Sequence, residues 1–223
     1  MPQFVVGEGY ASYRGPAFDV VAHRHAAFQI AIAVRGEVVI VDSSENRHRA
    51  AALLVPPMVR HRMLAGTDLL TYFIEPHSAF ADLLRGTYGE GVTAVDELHG
   101  LRDEEIRHTR APSALDPRLV EAMDTITRSG CSMPDAAATV GISPQRLRAL
   151  ARLELGMPLL RWRTWVRLRL TAEALQEGQS LADAAIAGGF ADQAHLSRWM
   201  REMMGLTPAR TLAALRPQSR PAT

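Results

Sequence analysis

The chain has 223 residues, 47% of them hydrophobic and 22% charged, and a formal net charge of +1; that suffices for one large or two small globular domains and excludes a disordered or fibrous polymer. No apolar run reaches the roughly 18 residues of a membrane span, and Met1 to Gly9 lack the basic flank and long apolar stretch of a secretory signal. Cys131 is the single cysteine, so an internal disulfide and a thiolate metal cluster are excluded and the expected compartment is the reducing cytoplasm, with no membrane partner. All 25 basic residues are Arg, and they are unevenly opposed: 11 Arg against 14 acidic residues up to Ala111, 14 Arg against 10 beyond it. The C-terminal part is therefore the basic one.

From Phe4 to Glu75, short β-branched and apolar runs alternate with turns. Phe28 to Val34 and Glu37 to Val41 flank Arg35-Gly36, Leu53-Leu54-Val55 stops at Pro56-Pro57, and Leu69 to Ile74 stops short of Pro76. This punctuation predicts hairpins forming a small sandwich or barrel over residues 1–78. His23 and His25 alternate on a predicted strand, so their side chains share a face with Gln29, and His61 follows the Pro-Pro turn. Three imidazoles and an amide can hold a divalent metal such as Zn, Ni, Fe or Mn, with a position left open for a ligand. The same four side chains can instead line an organic-ligand pocket or form an inert polar core. His48, His77, His99 and His108 show no ligand spacing and are expected at the surface.

Over 79–111 the pattern turns helical, with Phe80, Leu83 and Leu84 at i, i+3 and i+4, then breaks at Gly86 to Gly91. This connector offers either a homodimer contact or a cap on the barrel's own core. The charged stretch 97–110 reads as a solvated helix or a linker.

Beyond Pro112 the pattern is helical up to residue 216, with a disordered tail expected at 217–223. An internal repeat lies within it: Asp135-Ala136-Ala137 recurs as Asp183-Ala184-Ala185, and Gly141-Ile142 as Gly189-Phe190, both 48 residues on, while Gly156 recurs as Gly205 at 49. Each copy has a small-residue helix, a Gly-apolar turn and a second helix rich in Arg and polar residues, which is the pattern of a helix-turn-helix. Alanines allow the helices to cross closely, and the second helix lies in the major groove, where Arg can read guanine and Gln adenine. Ser143 and Asp192 are the expected N-caps. The exposed faces would present Ser143, Gln145, Arg146, Arg148 and Arg152 in the first unit, and Gln193, Ala194, His195, Ser197, Arg198 and Arg201 in the second, over buried Leu147, Leu150, Leu196 and Met200. Between the units, Leu159 to Glu177 predicts a helix about 30 Å long, roughly one turn of DNA.

The run Gly188-Gly189-Phe190-Ala191-Asp192-Gln193-Ala194-His195-Leu196-Ser197-Arg198, with Gly205-Leu206-Thr207-Pro208 and with Trp162 and Arg167-Leu168 on the linking helix, resembles the signature of the AraC/XylS family of transcription regulators. Trp199 stands where that family usually has a smaller residue. His23-x-His25, Gln29 and Gly36 resemble the first cupin motif, with Gln for the usual Glu, and Pro56 with His61 resembles the second. Together these resemblances imply an α+β chain: an N-terminal cupin-like β-barrel followed by an all-α domain of two tandem helix-turn-helix units joined by a linker helix. They imply a sequence-specific activator or repressor that binds double-stranded promoter DNA, meets RNA polymerase if it activates, and answers to a small-molecule or metal effector. No enzymatic activity is expected, because Gln29 replaces the carboxylate a cupin oxygenase usually supplies. The alternatives are such a metal enzyme with an accessory DNA-binding domain, and a DNA-binding protein with no effector.

Overall fold

A computed structural model describes residues 2–109 and 115–210; the expected tail at 217–223 lies outside them. The N-terminal part contains nine strands among the described residues: β1 (Gln3–Gly7), β2 (Tyr10–Ala17), β3 (Phe28–Ala33), β4 (Val38–Asp42), β5 (Arg47–Ala50), β6 (Ala52–Val55), β7 (His61–Met63), β8 (Gly66–Ile74) and β9 (Thr93–Ala94). They form a six-stranded sheet in the order β1-β2-β8-β3-β6-β9 and a three-stranded sheet in the order β5-β4-β7. The predicted barrel thus takes the form of two packed sheets.

Strand alternation sorts the core into two layers. Phe28, Ile30 and Ile32 of β3, with Tyr72 and Ile74 of β8, face α1 (Ala79–Thr87) and α2 (Asp103–His108) and pack on Phe80, Leu84 and Ile106. Ala31, Ala33, Leu53, Val55 and Leu69 project to the other side and meet Val38 and Ile40 of the small sheet. Asp103 pins α2 to the sheet by accepting from Tyr10 Oη at 2.7 Å and Tyr72 Oη at 2.9 Å. Of the predicted dimer face, Phe80 and Leu84 are buried in this core and Leu83 alone is exposed. The helix is amphipathic because it covers a sheet, which is the capping alternative for this face.

The C-terminal part has α3 (Pro117–Ser129), α4 (Met133–Thr139), α5 (Pro144–Glu154), α6 (Leu159–Gln176), α7 (Leu181–Ala187) and α8 (Gln193–Met204). The repeat has a local physical basis. Ser132 and Ser180 cap α4 and α7 by accepting from the Asp135 and Asp183 backbone N–H groups, and each hydroxyl donates to the same Asp side chain. That reciprocal cap explains the repeated Asp. Both helices end alike: Ile142 N donates to Ala137 O and Phe190 N to Ala185 O, across Gly141 and Gly189 at positive φ, the arrangement of a Schellman turn. Ser143 and Asp192 cap α5 and α8 as expected, accepting from the Arg146 and His195 backbones. Among the described residues no helix is long and apolar enough to cross a membrane.

Candidate DNA-binding face and sensor cavity

In both helix-turn-helix units, Leu147, Leu150, Leu196 and Met200 are buried, which turns the opposite faces of α5 and α8 outward. On α5, Ser143, Gln145, Arg146, Arg148 and Arg152 are exposed; on α8, so are Gln193, Ala194, Arg198 and Arg201. Their spacing places Gln145, Arg148 and Arg152 on one helical face, and Gln193, Ser197 and Arg201 on another. Two positions are less free. Ser197 Oγ donates to Gln193 O at 2.8 Å, and His195 is half-buried, accepting from Trp199 Nε1 at 3.0 Å with its ring edge against Phe190. The unusual Trp199 therefore has a partner, and the Arg161 guanidinium lies 5.5 Å over its ring. The linking helix α6 has 18 residues, about 27 Å of axis.

The second site lies at the junction of the two halves. The strand predicted through His23 and His25 does not form: His23 makes a single antiparallel bridge with His61, and His25 sits in the loop before β3. The three imidazoles converge all the same, because the backbones of residues 23 and 61 exchange both hydrogen bonds, at 2.9 and 3.0 Å, and Gln29 projects from β3 beside them. All four residues are buried. The three histidines' potential ligand atoms lie within 4.8 Å of one another.

The hydrogen bonds set the ring tautomers. His23 Nδ1 lies 2.8 Å from Val21 O and His61 Nδ1 3.0 Å from Val59 O. Carbonyls only accept, so both Nδ1 atoms carry the proton and both Nε2 atoms point inward as lone pairs. His23 Nε2 faces His25 Nε2 at 2.8 Å, and His61 Nε2 faces Gln29 Oε1 at 2.9 Å. The second pair sets acceptor against acceptor. Either Gln29 turns its amide to donate, or a cation between the two satisfies both. Burial pushes the imidazole pKa values down, to about 3 for His23 and about 4 for His61, and well down for His25, so the cluster is neutral, the ligating form.

His23, His25 and Gln29 of this cluster form part of the wall of a cavity of about 150 Å³ between the sheets and the helical half. Its apolar lining includes Tyr13, Met63 and Phe73 from the sheet side, and Trp165, Leu175 and Met200 from the helices. Two buried polar atoms on this lining, Thr71 Oγ1 and Trp165 Nε1, have no hydrogen-bond partner among the described residues. At its edge Glu75 lies 3.3 Å from Arg169 of α6 and 3.4 Å from His77. Glu75, Arg169 and the aromatic pair Phe73–Trp165 were missed from sequence. The one signal was an acid closing an apolar strand run, since pairing across 94 residues leaves no spacing to read. His77, expected at the surface, is half-buried, as is His48 against Asp42, while His99 and His108 are exposed.

A family model described as a helix-turn-helix domain matches residues 118–214. Comparison with curated proteins found no match. Among solved structures, apo ToxT K231A from Vibrio cholerae strain SCE256 superposes with a TM-score of 0.60 at 11% identity, covering 94% of this chain and 98% of that one. Wild-type ToxT from the same strain, solved with an unsaturated fatty acid bound, gives 0.57 at 12% identity over 96% and 100% of the two chains. ToxT from Vibrio cholerae O395, bound to (E)-4-(8-methylnaphthalen-1-yl)but-3-enoic acid, gives 0.59 at 10% identity over 93% and 100%. These similarities carry the whole α+β arrangement, sheets and helices together.

Proposed function

We propose that this chain, whose residues 118–214 are an AraC-type helix-turn-helix domain, is a DNA-binding transcription regulator with its sensor built into the junction between its halves. The observation that supports this most is the placement of the histidine cluster on the wall of a cavity also lined by α6 and α8. An effector there touches the sheet that holds it, the helix that spaces the two DNA-binding units and the second recognition helix itself. A ligand that binds one arrangement of these elements better than another shifts the population between them.

The donor set suits a divalent metal. His23, His25 and His61 would hold it through Nε2, with Gln29 Oε1 as fourth donor, and the backbone carbonyls of Val21 and Val59 would orient two of the rings. The ion would cross-link β3 to β7, which carries His61, and to the loop carrying His23. A metal enzyme is the weaker reading, because Gln29 brings an amide where an oxygenase would have a carboxylate. A second reading is favoured by the cavity: an apolar small molecule with one hydrogen-bonding group, placed to meet Thr71 Oγ1 and Trp165 Nε1. The fatty acid in one ToxT structure fits that chemistry.

Metal analysis of untagged protein, beside a His23→Ala, His25→Ala double variant, tests the first reading. Wild type is expected to hold about one equivalent and to melt higher with added Zn or Ni; equal trace metal and equal melting in both proteins would end it. An unsaturated fatty acid that raises the melting temperature of wild type but not of a Thr71→Val, Trp165→Phe variant is the expected result for the second.

A further inference from the structure

The turn that ends the second recognition helix sits directly on the loop that carries His23. Gly205 closes α8 in the left-handed conformation, φ 66°. A methyl group placed there would stand 2.6 Å from Val21 O, 2.7 Å from His23 Nδ1 and 3.0 Å from Val20 Cβ. The first two atoms are the partners of the hydrogen bond that orients the His23 ring. Gly205 is thus the cover over the outer side of this imidazole, and no side chain fits between them.

On the inner side, His23 Nε2 and His25 Nε2 are 2.8 Å apart. Two imidazole nitrogens on a tetrahedral ion with bonds of about 2.0–2.1 Å stand about 3.3 Å apart, so an entering ion spreads this pair by about half an ångström. Both rings line the cavity on one side and are backed by packed protein on the other. His25 is buried, its ring 5.2 Å from Phe73, which lies 5.7 Å from Trp165 of α6. His23 is backed by Gly205. Close-packed interiors pass such displacements on, and both routes lead into the DNA-binding half.

We propose that the C-terminal turn of α8 reads the state of the histidine cluster: an ion held there pushes the Val20–His23 loop against Gly205 and repositions the second recognition helix on the sensor domain. The proposal rests on the metal reading of the cluster. Two helix-turn-helix units must meet successive major grooves together, so a shift of one against the other changes affinity for DNA even when every base-reading side chain is unchanged.

The test uses full-length protein stripped with chelator. Zinc binding is measured by calorimetry, amide hydrogen exchange is followed over residues 201–205, and affinity is measured for a duplex enriched from a random-sequence pool. In wild type, zinc is expected to bind and to change both the exchange and the DNA affinity by at least about fivefold, the low end of allosteric coupling. Gly205→Asn keeps the left-handed backbone accessible but drives a side chain into the loop, lifting α8 from it. This variant is expected to melt cooperatively, bind zinc, and show no zinc-dependent change in either readout; Gly205→Ala, which adds backbone strain, should behave alike. Bound zinc with equal changes in wild type and Gly205→Asn overturns the coupling and leaves the metal reading standing. No zinc bound by wild type overturns both.

Discussion

Arg148 and Arg198 stand exposed on the second turns of α5 and α8, and we propose that each guanidinium reads a guanine edge. Replacing either by Ala is expected to weaken binding to the enriched duplex by about 1–3 kcal/mol, the worth of a bidentate base contact. Electrophoretic titration with both variants checks this, and unchanged affinity in both removes these positions from the interface. The His195 ring is engaged by Trp199 and Phe190, and only the packing of a bulky neighbour reveals that. At the histidine cluster, the metal-free protein holds neutral rings with pKa values near 3 for His23, near 4 for His61 and well below 6.5 for His25, against about 6.5 in the unfolded chain. The unfolded state binds more protons below 6.5, so the cluster's contribution is intact above that pH and is lost as pH falls from there towards about 3. Each histidine steepens the fall by up to about 1.4 kcal/mol per pH unit. Melting temperatures in chelator between pH 7.5 and 5 should drop more steeply for wild type than for a His23→Gln, His61→Gln variant.

At the scale of elements, the helix-turn-helix units were legible because everything that makes them is local: a cap, two alanines and a glycine turn fall within about ten residues, and the pattern occurs twice. Less legible was the approach of α7 to α6. A methyl group on Gly188 would meet Thr171 Oγ1 at 2.0 Å and Arg167 O at 2.7 Å, so only glycine permits this crossing. Gly188→Ala is expected to destabilise the protein by about 1–3 kcal/mol through overpacking, seen as a lower midpoint in urea; an unchanged midpoint would mean that the helices can part without cost. The α1 face shows the opposite limit. Periodicity finds an apolar stripe but does not say what covers it, and here the cover is the protein's own sheet. Phe80→Ala should cost about 3–5 kcal/mol as a core truncation, whereas Leu83→Ala, at an exposed position, should stay within about 0.5 kcal/mol.

Across the whole molecule, the halves are joined by contacts that no local pattern announces. Gln176 Nε2 donates to Phe4 O at 2.7 Å, and Arg169 of α6 sets its guanidinium against buried Glu75 while also pairing with Glu173. The Arg169–Glu75 pair lacks hydrogen-bond alignment, yet removing the cation takes away the guanidinium that faces buried Glu75 opposite His77. Arg169→Met is therefore expected to cost about 1–3 kcal/mol, the range for leaving a buried acceptor unsatisfied, and urea titration beside wild type measures it. Sequence spacing located the four residues of the cluster, but the cavity beside it is assembled from segments more than 100 residues apart.

Ala11, Ala26, Ala27 and Phe73 of the N-terminal part belong to the same apolar cluster as Leu119, Met123, Trp162 and Met203 of the C-terminal part. A core shared in this way has no seam along which one half can melt while the other stands. Heat should thus unfold the chain in one transition whose calorimetric and van't Hoff enthalpies agree, as for a single small domain, although the chain combines a two-sheet part with a helix-turn-helix domain.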